Sequence, residues 1–284
     1  STGNLATSVA AHAAALGWPS VTVIPSDLEK SKVAMTAIFG GVVLAVDGNY
    51  DDVNRLCAEL VDSHPDWAFA NVNLRAYYAE GSKTLAYEIV EQLGWQLPAQ
   101  VIAPIASGSQ LTKIAKGFRE FTQLGLVSGE TPVMFGAQAT GCSPVATAFA
   151  EGTSIIRPVK PNTIARSLAI GNPADGPYAL DEMRAQGGDC GSVTDDAILA
   201  AISQLARTEG IFAETAGGTV IASLAQLIEK GSIDSTKPVV AIISGHGLKT
   251  LDAIVDTATP TAVISPKLAD AEVALALHKK ETTR

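Results

Sequence analysis

The chain is 284 residues long, 47% hydrophobic and 17% charged, with a net charge of −9. That length and apolar content suit a globular core in one large domain or two and exclude a disordered chain. Nothing resembles the basic stripe that a nucleic-acid partner needs, and no apolar run reaches the ~20 residues that cross a bilayer. Cys57, Cys142 and Cys190 are too far apart for a zinc pattern or a disulfide framework, and the four His residues are scattered. A reducing, cytoplasmic setting without a metal site is therefore expected.

The elements alternate between β and α. Ser1-Thr2-Gly3-Asn4 is a polar loop ahead of an Ala-rich helix over 8–16, which Gly17 stops. Residues 21–25 are β-branched and predict a strand, 29–37 a helix and 42–46 a second strand. Asp51-Asp52 opens a helix whose apolar residues, Val53, Leu56, Cys57, Leu60 and Val61, recur at helical spacing. A third strand is expected over 67–72 and a helix over 82–93. The apolar run 101–105 predicts a buried strand, then a helix over 111–123, a strand over 133–137 and a short helix over 143–150. Residues 157–175, with Pro158, Pro161 and Pro173, read as an irregular crossing segment. Helices are expected over 180–186, 195–208 and 216–229 and a last core strand over 239–243; the tail beyond Pro260 reads as short and partly polar. Strands separated by helices predict an α/β fold of open, mostly parallel sheets flanked by helices. The region of Pro98 is the expected boundary between a smaller α/β domain over 1–95 and a larger one over 96–284.

Ligands in such sheets bind beyond the carboxyl ends of the strands. Ala106-Ser107-Gly108-Ser109-Gln110 lies there, after the strand 101–105 and at the start of a helix. Its small residues let the backbone approach closely, and consecutive N–H groups can surround a phosphate; a ligand-free βα turn has the same composition. Ser244-Gly245-His246-Gly247 follows the strand 239–243, where Ser244 is either a ligand hydroxyl or a turn residue. His246, between two glycines, reads as structural. The Ser1–Asn4 loop meets a helix N-terminus, which suits a small anion as well as an ordinary cap. Ala213-Glu214-Thr215-Ala216-Gly217-Gly218 reads as a turn and an N-cap. In Asn71-Val72-Asn73-Leu74-Arg75, Arg75 can grip a phosphate with two parallel hydrogen bonds; solvated residues at a strand end are the alternative.

Together these stretches resemble the pyridoxal-phosphate enzymes of the tryptophan-synthase β-subunit fold (fold type II). Within that family the pattern, including Glu80-Gly81-Ser82-Lys83-Thr84, is similar to the threonine synthases, over essentially the whole chain. The resemblance implies pyridoxal 5′-phosphate in a cleft between the smaller and the larger domain. Ala106, Ser107, Gly108, Ser109 and Gln110 would then hold its phosphate, Ser244 would meet the pyridine nitrogen with a neutral hydroxyl, and Asn4 would bond the ring 3′-oxygen. Ser1 and Thr2 would hold the substrate's α-carboxylate, and Asn71, Asn73 and Arg75 its phosphate. The implied reaction turns O-phospho-L-homoserine and water into L-threonine and phosphate, in a homodimer. Family members hold the cofactor as a Schiff base on a lysine a few tens of residues ahead of the Ser-x-Gly-Asn loop. That position precedes Ser1, and Lys83, Lys113 and Lys249 do not match it. No catalytic residue is therefore expected within 1–284, and the chain is expected to lack its N-terminal segment and to be inactive by itself. Two alternatives stay open: a serine or threonine dehydratase of the same fold, which needs no second phosphate site, and a non-catalytic binding fragment.

Overall fold

The computed structural model describes residues 3–48, 50–70, 76–256 and 258–282. The chain runs α1 (Asn4–Ala15), β1 (Val21–Pro25), α2 (Lys30–Ala37), β2 (Val42–Val46), α3 (Tyr50–Ser63), α4 (Ala76–Gly81) and α5 (Lys83–Gln92). It continues through β3 (Gln100–Pro104), α6 (Ser109–Gln123), β4 (Val133–Ala139), α7 (Pro144–Ala150), α8 (Gly176–Ala185) and β5 (Cys190–Val193). The last elements are α9 (Asp195–Glu209), α10 (Thr215–Glu229), β6 (Val239–Ala241) and α11 (Leu268–Thr282). Two compact units result, residues 1–250 and 251–284. The second carries α11, ahead of which the Ser265 hydroxyl donates to Asp270. No helix among the described residues is long and apolar enough to cross a membrane.

All pairing between the named strands is parallel. β1 and β2 form a two-stranded sheet, and the other four strands form a second sheet in the order β5-β4-β3-β6. The central strand β3 is buried at every position, because helices cover both faces and its side chains alternate between them. Val101, Ala103 and Ile105 pack with Leu111, Ile114 and Phe118 of α6, Met134 of β4, and Leu180 and Met183 of α8. Ile102 points the other way, into a cluster with Phe135 and Ala137 of β4, Val220 and Leu227 of α10, and Ile233. Each fully buried large side chain here contributes about 1.5–3 kcal/mol relative to exposure.

Polar clasps fix the ends of this sheet. Gln138 of β4 is fully buried. Its Nε2 donates to the Ile105 carbonyl at 3.3 Å, and its Oε1 accepts from the backbone N–H groups of Val145 and Ala146, both at 3.0 Å. One side chain thus satisfies two open N–H groups at the start of α7 and holds the residue before the 106–110 loop. On the outer strand β5, the Gln226 amide exchanges two hydrogen bonds with the Ser192 backbone, which closes an edge that another strand could otherwise pair with.

The structure departs from the sequence reading in places. α1 begins at Asn4 and not at residue 8, so the polar loop is itself the helix start. α8 begins at Gly176, with Pro177 in its first turn. Residues 67–70 form no strand; Trp67 stacks on His64, with ring centroids 4.3 Å apart, and 71–72 lie outside the described residues. β5 and α11 were not expected.

Candidate active site

A cavity of about 300 Å3 opens at the carboxyl ends of β3 and β6. It is lined from one side by Asn4, Leu5, Tyr50 and Ser82, and from the other by residues 104 and 106–110, Glu214 and Ser244 among others. The 106–110 loop reaches it because Ile105 continues the β3 ladder, its N–H bonding the Ala137 carbonyl at 2.9 Å. The chain then turns through Gly108, whose φ of 96° is left-handed. A β-carbon there would lie 2.6 Å from the Asp175 carbonyl oxygen, so only glycine fits. Asp175 N–H in turn bonds the Ser107 carbonyl at 2.8 Å, bracing the loop against the start of α8. The first turn of α6 then presents N–H groups toward the loop. Ser109 is buried; its Oγ interacts with the Asp175 carboxyl but makes no hydrogen bond of full geometry.

Ser244 lies beyond β6, where Ile242 N–H still bonds the Ile102 carbonyl at 3.0 Å. The Ser244–Gly247 turn is zipped to the start of α10: Glu214 N–H bonds the Gly245 carbonyl and Gly247 N–H the Phe212 carbonyl, both at 2.9 Å. His246 is spent in this turn. Its Nδ1 accepts from the Leu248 N–H at 3.1 Å, and its ring meets Phe212 edge-on. The Gly217-Gly218 pair serves packing, since a β-carbon on Gly218 would come within 2.6 Å of Ile202 on α9.

Glu214 is completely buried. Its Oε1 accepts from Asn4 Nδ2 at 3.2 Å, and its Oε2 has no partner. The Lys249 ammonium donates to Asn4 Oδ1 at 2.7 Å, and Ser31 of α2 holds the Lys249 carbonyl at 2.9 Å. Beneath α1, the stem of Lys32 fills the space beside Gly3, and its ammonium pairs with Glu29 at 3.1 Å, both groups being buried.

Thus Asn4, the 106–110 loop and Ser244 converge on one cavity. Ser1, Thr2, Asn71, Asn73 and Arg75 lie outside the described residues. Of the three lysines weighed in the sequence, Lys83 is held by Glu80 at 2.7 Å and Glu120 at 2.8 Å, and Lys113 by Glu80 at 3.2 Å. Lys249 is the one whose amine meets a cavity residue, through a contact spanning 245 positions. From the sequence, Glu214 reads only as part of a turn and N-cap. Its signal was a lone carboxylate among small and apolar residues, 212–218. A wider depression of about 630 Å3 along β5 and α10 includes Cys190, Gln226 and Lys230, but its central amide is already engaged with Ser192. The thiol of Cys190 there is pushed far above its usual range by burial, aided by the nearby Asp189, so it is an inert packing group.

A small-residue loop at a helix start, a strand-end serine and an asparagine line one cavity at the carboxyl edge of a parallel sheet, where such folds bind ligands. Residues 1–245 match the family described as pyridoxal-phosphate dependent enzyme, and the chain belongs to that family, with pyridoxal phosphate as the family's cofactor. More particularly, it is similar to threonine synthases. The one from Methanocaldococcus jannaschii is 39% identical over 257 residues, which cover 90% of this chain and 63% of that protein. The one from Methanosarcina acetivorans is 36% identical over 270 residues, covering 94% and 66%. The chain therefore spans just under two thirds of the length of these curated relatives. Among solved structures, the processed form of threonine deaminase isoform 2 from Solanum lycopersicum superimposes with a TM-score of 0.69 at 21% identity, covering 91% of this chain and 72% of that one. That likeness carries the fold, fold type II.

The residues present fit the cofactor. The Ser109 hydroxyl, buried beside the α6 N-terminus, makes no hydrogen bond of full geometry and feels only the Asp175 carboxyl, so it can donate to a phosphate in the cavity.

Proposed function

We propose that the protein is a threonine synthase, converting O-phospho-L-homoserine and water to L-threonine and phosphate. The observation that carries this reading is the 36–39% identity to threonine synthases over 90–94% of the chain, at a site whose residues fit pyridoxal phosphate. The cofactor, when bound, supplies an electron sink that stabilises negative charge on the carbon bearing the substrate's amino group.

In this reading the chain's own residues bind and orient. Ser107, Ser109 and the N–H groups of residues 106–110 hold the cofactor phosphate. Ser244 bonds the ring nitrogen through a neutral hydroxyl, and Asn4 donates to the ring oxygen. Ser1 and Thr2 take the substrate carboxylate, and Asn71, Asn73 and Arg75 its phosphate. No residue of 1–284 is assigned as the lysine that holds the cofactor covalently, and domains over 1–95 and 96–284 close the site. A cytoplasmic homodimer completes the proposal.

The test is turnover by the complete protein on O-phosphohomoserine, L-serine and L-threonine in parallel. Threonine and phosphate formed in equal amounts from the first, with no oxo acid from the others, is expected. Oxo acid and ammonia from serine or threonine would make it a dehydratase. Arg75→Ala should cost more than about a hundredfold in kcat/KM on the phosphorylated substrate, on the scale of a lost charged phosphate contact.

A further inference from the structure

The amide of Asn4 is addressed from both ends by groups whose chemistry leaves one orientation. A lysine ammonium can only donate, so the amide end that meets it is Oδ1 and the end left for Glu214 is Nδ2. With the Lys249 ammonium 2.7 Å from Oδ1 and Glu214 Oε1 3.2 Å from Nδ2, a flip would set two donors together at one end. The second N–H of Nδ2 has no acceptor among the described residues. Among the described residues Lys249 forms no ion pair either, its cation being given to the amide. Glu214 cannot swing away to water: it is fully buried, its Oε2 is unpartnered, and Gly245 is packed against its carboxyl carbon. Both anchors are themselves fixed, Glu214 by its N–H on Gly245 and Lys249 by Ser31 on its carbonyl.

We propose that Lys249 and Glu214 are positioning residues that clamp the Asn4 amide so that its remaining N–H is presented to an acceptor oxygen in the cavity. This rests on the cofactor reading above, in which that acceptor is the ring oxygen. An amide whose oxygen accepts from a cation is also a stronger donor through its nitrogen than a free one. The clamp joins three distant stretches, the start of α1, the start of α10 and the turn after β6, so it forms only when both sides of the cavity are in place.

The test uses the complete protein and 4′-deoxypyridoxine 5′-phosphate, a ring phosphate without the aldehyde, so that no lysine linkage contributes. Affinity is read by titration, and the ring's ionic form by the absorption spectrum of the bound probe. Lys249→Met should weaken binding about tenfold and move the bound spectrum toward that of the free probe, with an unchanged thermal midpoint. Asn4→Ala should do the same. In the Asn4→Ala background, Lys249→Met should add less than about twofold, because its effect passes through the amide. Glu214→Ala is the second variant, carrying the same expectation if Lys249→Met fails to fold. Wild-type affinity and spectrum in Lys249→Met, or a full additive loss on top of Asn4→Ala, would overturn the clamp while leaving the cofactor reading intact. Failure of the wild type to bind the probe would overturn both.

Discussion

Glu214 and Gly245 stand so close that a β-carbon on Gly245 would lie 2.1 Å from Glu214 Oε1 and 2.2 Å from its carboxyl carbon. The strand-end turn that carries Ser244 and the carboxylate that holds Asn4 therefore share one space. Gly245→Ala must push the Glu214 side chain out of it. We expect a stability loss of about 1–3 kcal/mol from overpacking and about tenfold weaker binding of pyridoxal phosphate. Calorimetry and a cofactor titration check the two effects separately; unchanged affinity would show that the carboxylate can move without releasing Asn4.

Gln138 reaches the site from underneath. Its three hydrogen bonds hold the Ile105 carbonyl and the first N–H groups of α7. Gln138→Leu keeps the volume and leaves those groups buried without partners. A loss of about 2–4 kcal/mol is expected in urea unfolding, with weaker cofactor binding because Ile105 leads directly into the phosphate loop. A loss below about 1 kcal/mol would mean that water replaces the side chain.

Helices α4, α5 and α6 are joined by Glu80, Lys83, Lys113, Lys116 and Glu120. Hydrogen bonds from Lys116 and Lys83 lower the Glu80 pKa from 4.5 to about 2, against a smaller opposing effect of burial. Because the folded pKa lies below the unfolded one, the contribution is complete above about pH 4.5 and disappears as the pH falls toward 2. Partial exposure screens it to about 1 kcal/mol. Glu80→Gln should cost that much at neutral pH and flatten the acid side of the stability profile, followed by urea midpoints from about pH 6 to about pH 3. An unchanged profile would put the acid sensitivity on other carboxylates.

The turn at 106–110 is legible in the sequence because physical constraints there are local. An apolar run over 101–105 must be buried, and a loop of small residues after it can only be a tight turn into a helix. The place of Ser244 just beyond a strand is legible for the same reason. β5 was not: Cys190-Gly191-Ser192-Val193 is short, small and half polar, and it is a strand only because β4 lies beside it. Residues 67–70 had strand-like side chains but gained no partner. α11 lacked a burial pattern, its described side chains being mostly exposed. Glu214 and Lys249 were hidden differently, since they meet Asn4 across 210 and 245 positions. No spacing rule joins such residues; only the folded chain does.

The most direct measurement follows oxygen. The complete protein is given O-phosphohomoserine in 18O-labelled water, and both products are weighed by mass spectrometry. In a threonine synthase the phosphate leaves by carbon–oxygen cleavage and keeps its own oxygens, while water supplies the new hydroxyl on the β-carbon. One 18O per threonine and none in the phosphate is the expected result. Label in the phosphate, with homoserine as the other product, or formation of 2-oxobutanoate and ammonia, would contradict it.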